Sequence, residues 1–430
     1  MLITQFPSEK ISKLATIIFL LFFTSIPFSN APGYLHHAIT LPSILSFCVI
    51  SIWFLRLVVI NRIRIDSLYI FAAFVLSFFL ISFVFTTTKN IKVINYFLAH
   101  CWFIVLIVAI TDLVRWQPIQ TQHLVYLISA GLIITGIWMC FEAFLPIIVD
   151  SSIDIGRIIP RVTRMSYAID SGFGFYRARG FNYESAYLAI YLNTSFCFLF
   201  ALSKFPRYLL FTFWALALFL TVSLAQIALF AIFWFIVLLL SLRRLNKVIL
   251  LRVPFSFNNI VFSLEKVSSH EALKYWQAGA CAIIFMAVYG SEILYFVEAF
   301  YYWFLDNSMG DSISALQRLE KMQIAFAFFE SLPINGIGFG GIQMAGVDGI
   351  SSFYGSVIIQ LGLLGVPLFI FLGYFGILSF LTRNVWVIGC FFFVFGHLVI
   401  IDPFYLPQVF LPFILLAIVT RSGDGMEGDY

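Results

Sequence analysis

The chain has 430 residues, of which 62% are hydrophobic and 11% charged, with 53 Phe, against roughly a quarter charged in ordinary soluble domains. A soluble protein of this length needs a large polar shell, and 25 basic with 21 acidic residues do not supply one. A soluble globular fold is excluded, the solvent is lipid, and no nucleic-acid partner is expected.

The first apolar run, in MLITQFPSEKISKLATIIFLLFFTSIPFS, follows a basic flank. No small-residue cleavage site comes after it and apolar segments continue to the far end, so it reads as a first span and not as a secretory signal. At about 20 apolar residues per crossing, the chain accommodates about twelve spans. They run roughly over Leu14–Ser29, Ile39–Ile60, Ser67–Phe85, Val93–Ile110, His123–Val149, Tyr183–Leu202, Arg207–Thr221, Gln226–Leu242, Tyr275–Phe296, Ser351–Phe380, Val385–Ile401 and Phe404–Val419. The seventh and eighth are separated only by a short turn near Ser223 and Leu224. The expected fold is an all-α polytopic membrane protein, a single integral membrane domain over residues 1–430.

With the N-terminus in the cytoplasm, Lys10, Lys13, Arg62, Arg64, Arg115, Lys204, Arg207, the cluster Arg243, Arg244, Lys247 and Arg252, then Arg383 and Arg421 all fall on the cytoplasmic side, as the positive-inside rule asks. An even span count returns the tail SGDGMEGDY to the cytoplasm, where its composition suits disorder. Two outer loops are long, residues 150–182 and 298–350, and loops of that size are commonly functional.

The first long loop carries Arg157, Arg161, Arg164, Arg177 and Arg179 without a Lys, against the positive-inside bias, and Asp150, Asp154 and Asp170 offset only part of that charge. The guanidinium fork matches phosphate oxygens two at a time and does not deprotonate. A phosphate-bearing anion is the sharper reading; pairing with lipid headgroups or with acids of the other loop is the plainer one.

In the second long loop, Ser314 and Gln317 form a capping pair ahead of Leu316, Leu319, Met322, Phe326 and Phe329 at helical spacing, and Pro333 ends the run. This predicts an amphipathic helix, either at the outer membrane surface with Arg318 near the headgroups or packed on neighbouring spans. INGIGFGGIQ follows, with Gly336, Gly338, Gly340 and Gly341. Its glycines suit either an anion-binding nest of backbone amides or a tight re-entrant turn. A dinucleotide fingerprint is rejected, because no βαβ unit surrounds it.

No GxxxxGK[ST] run is present, which argues against ATP-driven transport, and neither an Asp-x-Asp pair nor a metal-spaced His cluster occurs, so no metal is expected. The six Cys lie singly in apolar runs and read as buried thiols. His36 and His37 read as surface residues, His100 and His397 as satisfied core histidines. Of the acids near outer span ends, Glu142, Glu184, Glu292, Glu298 and Asp402, only Glu184, directly after the arginine-rich loop, stands out as a functional candidate.

Three segments together resemble a known family. Arg179-Gly180-Phe181-Asn182-Tyr183-Glu184-Ser185 is similar to the Arg, Gly-Phe, Glu-Pro-Ser pattern of bacterial O-antigen and exopolysaccharide polymerases. Arg318 with its helix, then Leu332-Pro333-Ile334-Asn335-Gly336-Ile337-Gly338-Phe339-Gly340, resembles the second signature of the O-antigen polymerase and ligase superfamily, and Gln360-Leu361-Gly362-Leu363-Leu364-Gly365 its third. Arg161 with Gly172 eleven residues on also fits a spaced Arg and Gly pairing described for the polymerases. The chain departs from the family at Ser185, where Pro is common. It also has Ser351, Ser352 and Phe353 where ligases carry a His, and Ser223-Leu224-Ala225-Gln226 where an Arg is usual.

The resemblance implies a GT-C-like membrane glycosyltransferase of the bacterial inner membrane. It would polymerise undecaprenyl-pyrophosphate-linked repeat units into O-antigen or a related polysaccharide at the periplasmic face, without metal or cofactor. Its partners would be the carrier-linked donor and acceptor, membrane lipids and a chain-length regulator. Arg179 and Arg318 are the expected catalytic donors and Glu184 the general base, with Arg157, Arg161, Arg164, Arg177, Gly336, Gly338 and Gly340 binding pyrophosphate or glycan. An O-antigen ligase shares most of these features except its His. A flippase for the same lipid-linked unit needs polar residues spread through a central cavity, whereas here charge concentrates in two loops.

Overall fold

A computed structural model describes residues 8–28, 40–60, 67–86, 91–116, 119–149, 178–182, 185–221, 223, 225–237, 335–344, 352–400, 404 and 406–424. Over these residues the regular structure is helical: α1 (Ser8–Ser25), α2 (Leu41–Ile60), α3 (Ser67–Phe85), α4 (Ile91–Trp116), α5 (Thr121–Val149), α6 (Ser185–Leu202) and α7 (Arg207–Thr221). Then come α8 (Ala225–Val237), α9 (Gly341–Met344), α10 (Phe353–Leu361), α11 (Val366–Leu381), α12 (Val385–Ile400) and α13 (Leu411–Asp424), with 3-10 turns at Ile26–Phe28, Gly362–Gly365 and Pro407–Phe410. Among the described residues, seven helical spans are long and apolar enough to cross a membrane, and four further apolar helices are shorter. By helix length and hydropathy this is a multi-pass membrane protein.

Of the expected spans, the ninth, Tyr275 to Phe296, lies outside the described residues. The seventh, eleventh and twelfth form as shorter helices, the eighth is described over Ala225–Val237 with the rest of its run outside the described residues, and the tenth is interrupted. The interruption has a local cause: Gly362 ends α10 at φ 54 and ψ −133, and Pro367 occupies the first turn of α11, where a residue without an N–H is tolerated.

The burial pattern is that of a chain dissolved in lipid. Phe47, Phe54 and Phe213 are each more than 60% exposed, while Asn193, Gln226 and Gln408 have no exposure at all. An apolar side chain loses nothing by facing hydrocarbon, but a polar one there lacks any partner, so the polar groups turn inward. The α6 helix shows this most fully. Fifteen of its side chains from Ser185 to Phe200 are buried, and it packs against α5, α7 and α12, as expected for a helix enclosed on all sides.

The α4 helix contacts α2, α3 and α13. It is tied to α2 by a buried ion pair in which Asp112 Oδ2 accepts from Arg56 Nη1 at 3.3 Å and from Trp53 Nε1 at 3.0 Å. The chain divides into two compact units, Met1–Phe233 with Lys321–Tyr430 and Trp234–Glu320; the features described below belong to the first.

Candidate functional site

Arg179 stands in a tight turn wedged into the helix bundle. The Asn182 amide donates to the Arg179 carbonyl at 3.1 Å, and Gly180 at φ 59 takes the left-handed conformation the turn requires. A side chain at Gly180 would also meet Leu188 Cδ1 at 3.1 Å. Two neighbours complete the backbone pairing. The Ala178 amide donates to the Leu220 carbonyl at 2.9 Å, in the last turn of α7, whose carbonyls have no partner within the helix. Glu142 Oε2 accepts from the amides of Arg179 at 2.9 Å and Gly180 at 2.7 Å.

Both Glu142 and Arg179 are buried, at 8% and 7% exposure, so the carboxylate acts in a water-poor setting where hydrogen bonds to an ionised acceptor are strong. Phe181 anchors the turn, stacked on Trp138 at 5.6 Å between ring centres and tilted against Phe28 at 4.9 Å. On the remaining side Gln408, in the 3-10 turn before α13, donates from Nε2 to the Tyr187 carbonyl at 3.1 Å and to Asn182 Oδ1 at 3.4 Å. Part of what the sequence suggests is an outer loop is thus packed among α5, α6, α7 and the start of α13.

The glycine run solves a similar problem at the broken span. The amides of Ile337 and Gly338 donate to the carbonyls of Ile359 and Gln360 at 3.0 and 2.9 Å, which are carbonyls of the last turn of α10. The Gln360 side chain reaches back, its Oε1 accepting from the Gly340 amide at 2.8 Å, and the Gly341 amide donates to the Gly338 carbonyl at 3.1 Å. A Cβ at Gly336 would stand 2.4 Å from the Gln360 carbonyl oxygen, and one at Gly338 would stand 2.8 Å from Thr86 Oγ1. Phe339 is fully buried against Phe79, Phe97 and His100. The second and third family-like segments therefore interlock: the glycine turn caps the helix that the Gln-Leu-Gly-Leu-Leu-Gly segment ends.

A third polar feature lies wholly inside the bundle. Trp214 Nε1 of α7 donates to Asn193 Oδ1 of α6 at 2.8 Å, and Asn193 Nδ2 donates to Gln226 Oε1 of α8 at 2.6 Å. Gln226 Nε2 in turn meets His397 Nδ1 of α12. The His397 ring contacts Tyr187 edge-on at 6.4 Å, and the Tyr187 carbonyl is the one held by Gln408.

Of the residues singled out from sequence, Arg179, Gly336, Gly338 and Gly340 are described, and they fall in two separate turns. Arg157, Arg161, Arg164, Arg177, Glu184 and Arg318 lie outside the described residues, as does the amphipathic helix. Sequence reasoning weighed Glu142, a lone carboxylate in a long apolar helix, and set it aside in favour of Glu184; it met Gln360 only as part of the third family-like segment and gave no role to Gln408 or to Gln226, the partner of His397. Among the described residues no three His, Cys, Asp or Glu side chains gather in a way that could hold a metal ion. Searches against models of protein families and against curated proteins return no match.

Proposed function

We propose that this chain polymerises undecaprenyl-pyrophosphate-linked oligosaccharide units into O-antigen or a related surface polysaccharide at the periplasmic face of the bacterial inner membrane. The observation that carries the reading is the Arg179 turn. An arginine with 7% exposure is carried on a backbone pinned by Glu142, Leu220 and Asn182, and a preorganised donor is what stabilising a phosphate leaving group requires. The interlocked glycine turn and α10 end add support, since both belong to the segments that resemble the polymerase and ligase superfamily. In this reading Gly336, Gly338 and Gly340 shape the chain that follows the Arg318 helix.

In the reaction, the bond from the anomeric carbon of the growing glycan to its phosphate oxygen breaks. A bond from that carbon to a hydroxyl oxygen of the acceptor unit forms. The electron pair leaves with undecaprenyl pyrophosphate, and the hydroxyl proton passes to a base, for which Glu184 is the candidate. Arg179 and Arg318 would stabilise the charge growing on the departing oxygen. Arg157, Arg161, Arg164 and Arg177 would bind the rest of the carrier headgroup and glycan, and Glu142 would position Arg179.

A deletion strain tests the assignment. Loss of a polymerase leaves surface glycan of a single repeat with no ladder, whereas loss of a ligase leaves no glycan on the lipid core and loss of a flippase traps lipid-linked units inside. A normal ladder refutes the proposal. In the complemented strain, Arg179→Lys and Arg318→Lys should each cut polymer formation by about 10²-fold, the usual effect of losing one such donor.

A further inference from the structure

The chain from Trp214 to His397 has a direction, and that direction is set at its tryptophan end. An indole N–H can only donate, so the Asn193 atom facing it at 2.8 Å must be the carbonyl oxygen. That leaves the Asn193 amide nitrogen to face Gln226, whose oxygen must accept at 2.6 Å, and so the Gln226 nitrogen must face His397 Nδ1. Reversing either amide would set two donors against each other inside a low-dielectric interior, where such a mismatch is costly. The assignment does not depend on distinguishing amide N from O by inspection, because a donor-only group anchors it. Trp214 itself has little room to turn: it is fully buried, stacked on Phe196 at 5.7 Å and held edge-on by Phe230 and Phe393 at 4.8 and 5.6 Å.

A His397 that accepts at Nδ1 carries its proton on Nε2. We infer that the Trp214–Asn193–Gln226 chain holds His397 as the neutral Nε2–H tautomer, with Nδ1 committed to accepting from Gln226 and so unable to act as a base. The connection of His397 to the Arg179 turn runs through Tyr187, whose ring it touches and whose carbonyl shares Gln408 with Asn182. The tautomer does not rest on the polymerase reading.

The test uses full-length protein in lipid nanodiscs with [15N]histidine, the His397 signals being those lost in His397→Gln. The expected spectrum has Nε2 protonated and Nδ1 bare; a proton on Nδ1, or a mixture of tautomers, overturns the inference. Asn193→Asp is the decisive variant. A carboxylate has no donor, so Gln226 must turn its nitrogen towards it and offer its oxygen to His397, moving the ring proton to Nδ1. An unmoved proton refutes the relay. Trp214→Phe provides a second test, since removing the anchor should yield mixed tautomers, and a spectrum unchanged from wild type counts against it.

If the deletion strain makes a normal ladder, the polymerase reading fails while the tautomer result still stands or falls on its own spectrum.

Discussion

Replacing Glu142 by Leu removes the one side chain that accepts from both the Arg179 and Gly180 amides, at 2.9 and 2.7 Å, and adds no polar group. Two buried N–H groups then lose their acceptor, at about 1–3 kcal/mol each, so the turn should be weakened by about 2–6 kcal/mol. Glu142→Gln keeps an oxygen in place but not its charge. Neutral acceptors are worth roughly half as much as ionised ones, so its cost should be about half that of Leu.

Because every 1.4 kcal/mol is a factor of about ten, even the middle of the range for Leu raises the open population of the turn by some hundreds-fold. Ala178 is fully buried beside the turn, which makes an Ala178→Cys thiol a reporter. Its maleimide labelling in nanodiscs should be slow with Glu142, intermediate with Gln and fast with Leu, over the constant background of the native thiols. The thermal midpoint should fall in the same order. Equal labelling and equal midpoints across the three would refute the claim that the carboxylate holds the Arg179 backbone.

Other consequences can be checked on the same purified protein. Gly336→Ala combines φ 70 with a Cβ 2.4 Å from a carbonyl oxygen, so it should lower stability by about 2 kcal/mol or more, seen as a lower midpoint. Gly136→Ala, inside α5 with nothing within 4 Å of the new Cβ, should instead gain up to about 1 kcal/mol from helix propensity. Asp112→Ala strands both Arg56 and Trp53 and should cost about 3–5 kcal/mol, and adding Arg56→Met should recover part of that loss. Gln360→Leu leaves the Gly340 amide without its acceptor, an expected loss of about 1–3 kcal/mol.

Much of the fold was legible because it is local. A run of apolar residues of the right length marks a span wherever it occurs, so α2, α3 and α5 form close to their expected limits. The break between α10 and α11 went unseen because Gly362 and Gly365 interrupt an otherwise continuous apolar run only briefly. Glycines are common in membrane helices, and it takes the glycine turn, docked on the helix-end carbonyls of Ile359 and Gln360, to make ending a helix there favourable. Near Arg179 the sequence suggested an outer loop, since it weighed charge alone; an acceptor 37 residues earlier in the chain is what draws the turn inward.

The sequence by itself therefore determined the solvent, the helical class and the rarity of charge, all of which follow from composition and from periods of a few residues. Only the tertiary structure decided which polar groups meet: Glu142 with the Arg179 turn, Gln360 with Gly340, and Gln226 with His397 across 171 residues. The physical reason is the lipid. Where water cannot satisfy an N–H or a carbonyl, each must find a partner inside the protein. Which partner it finds depends on how the helices pack, and no periodicity in the chain records that.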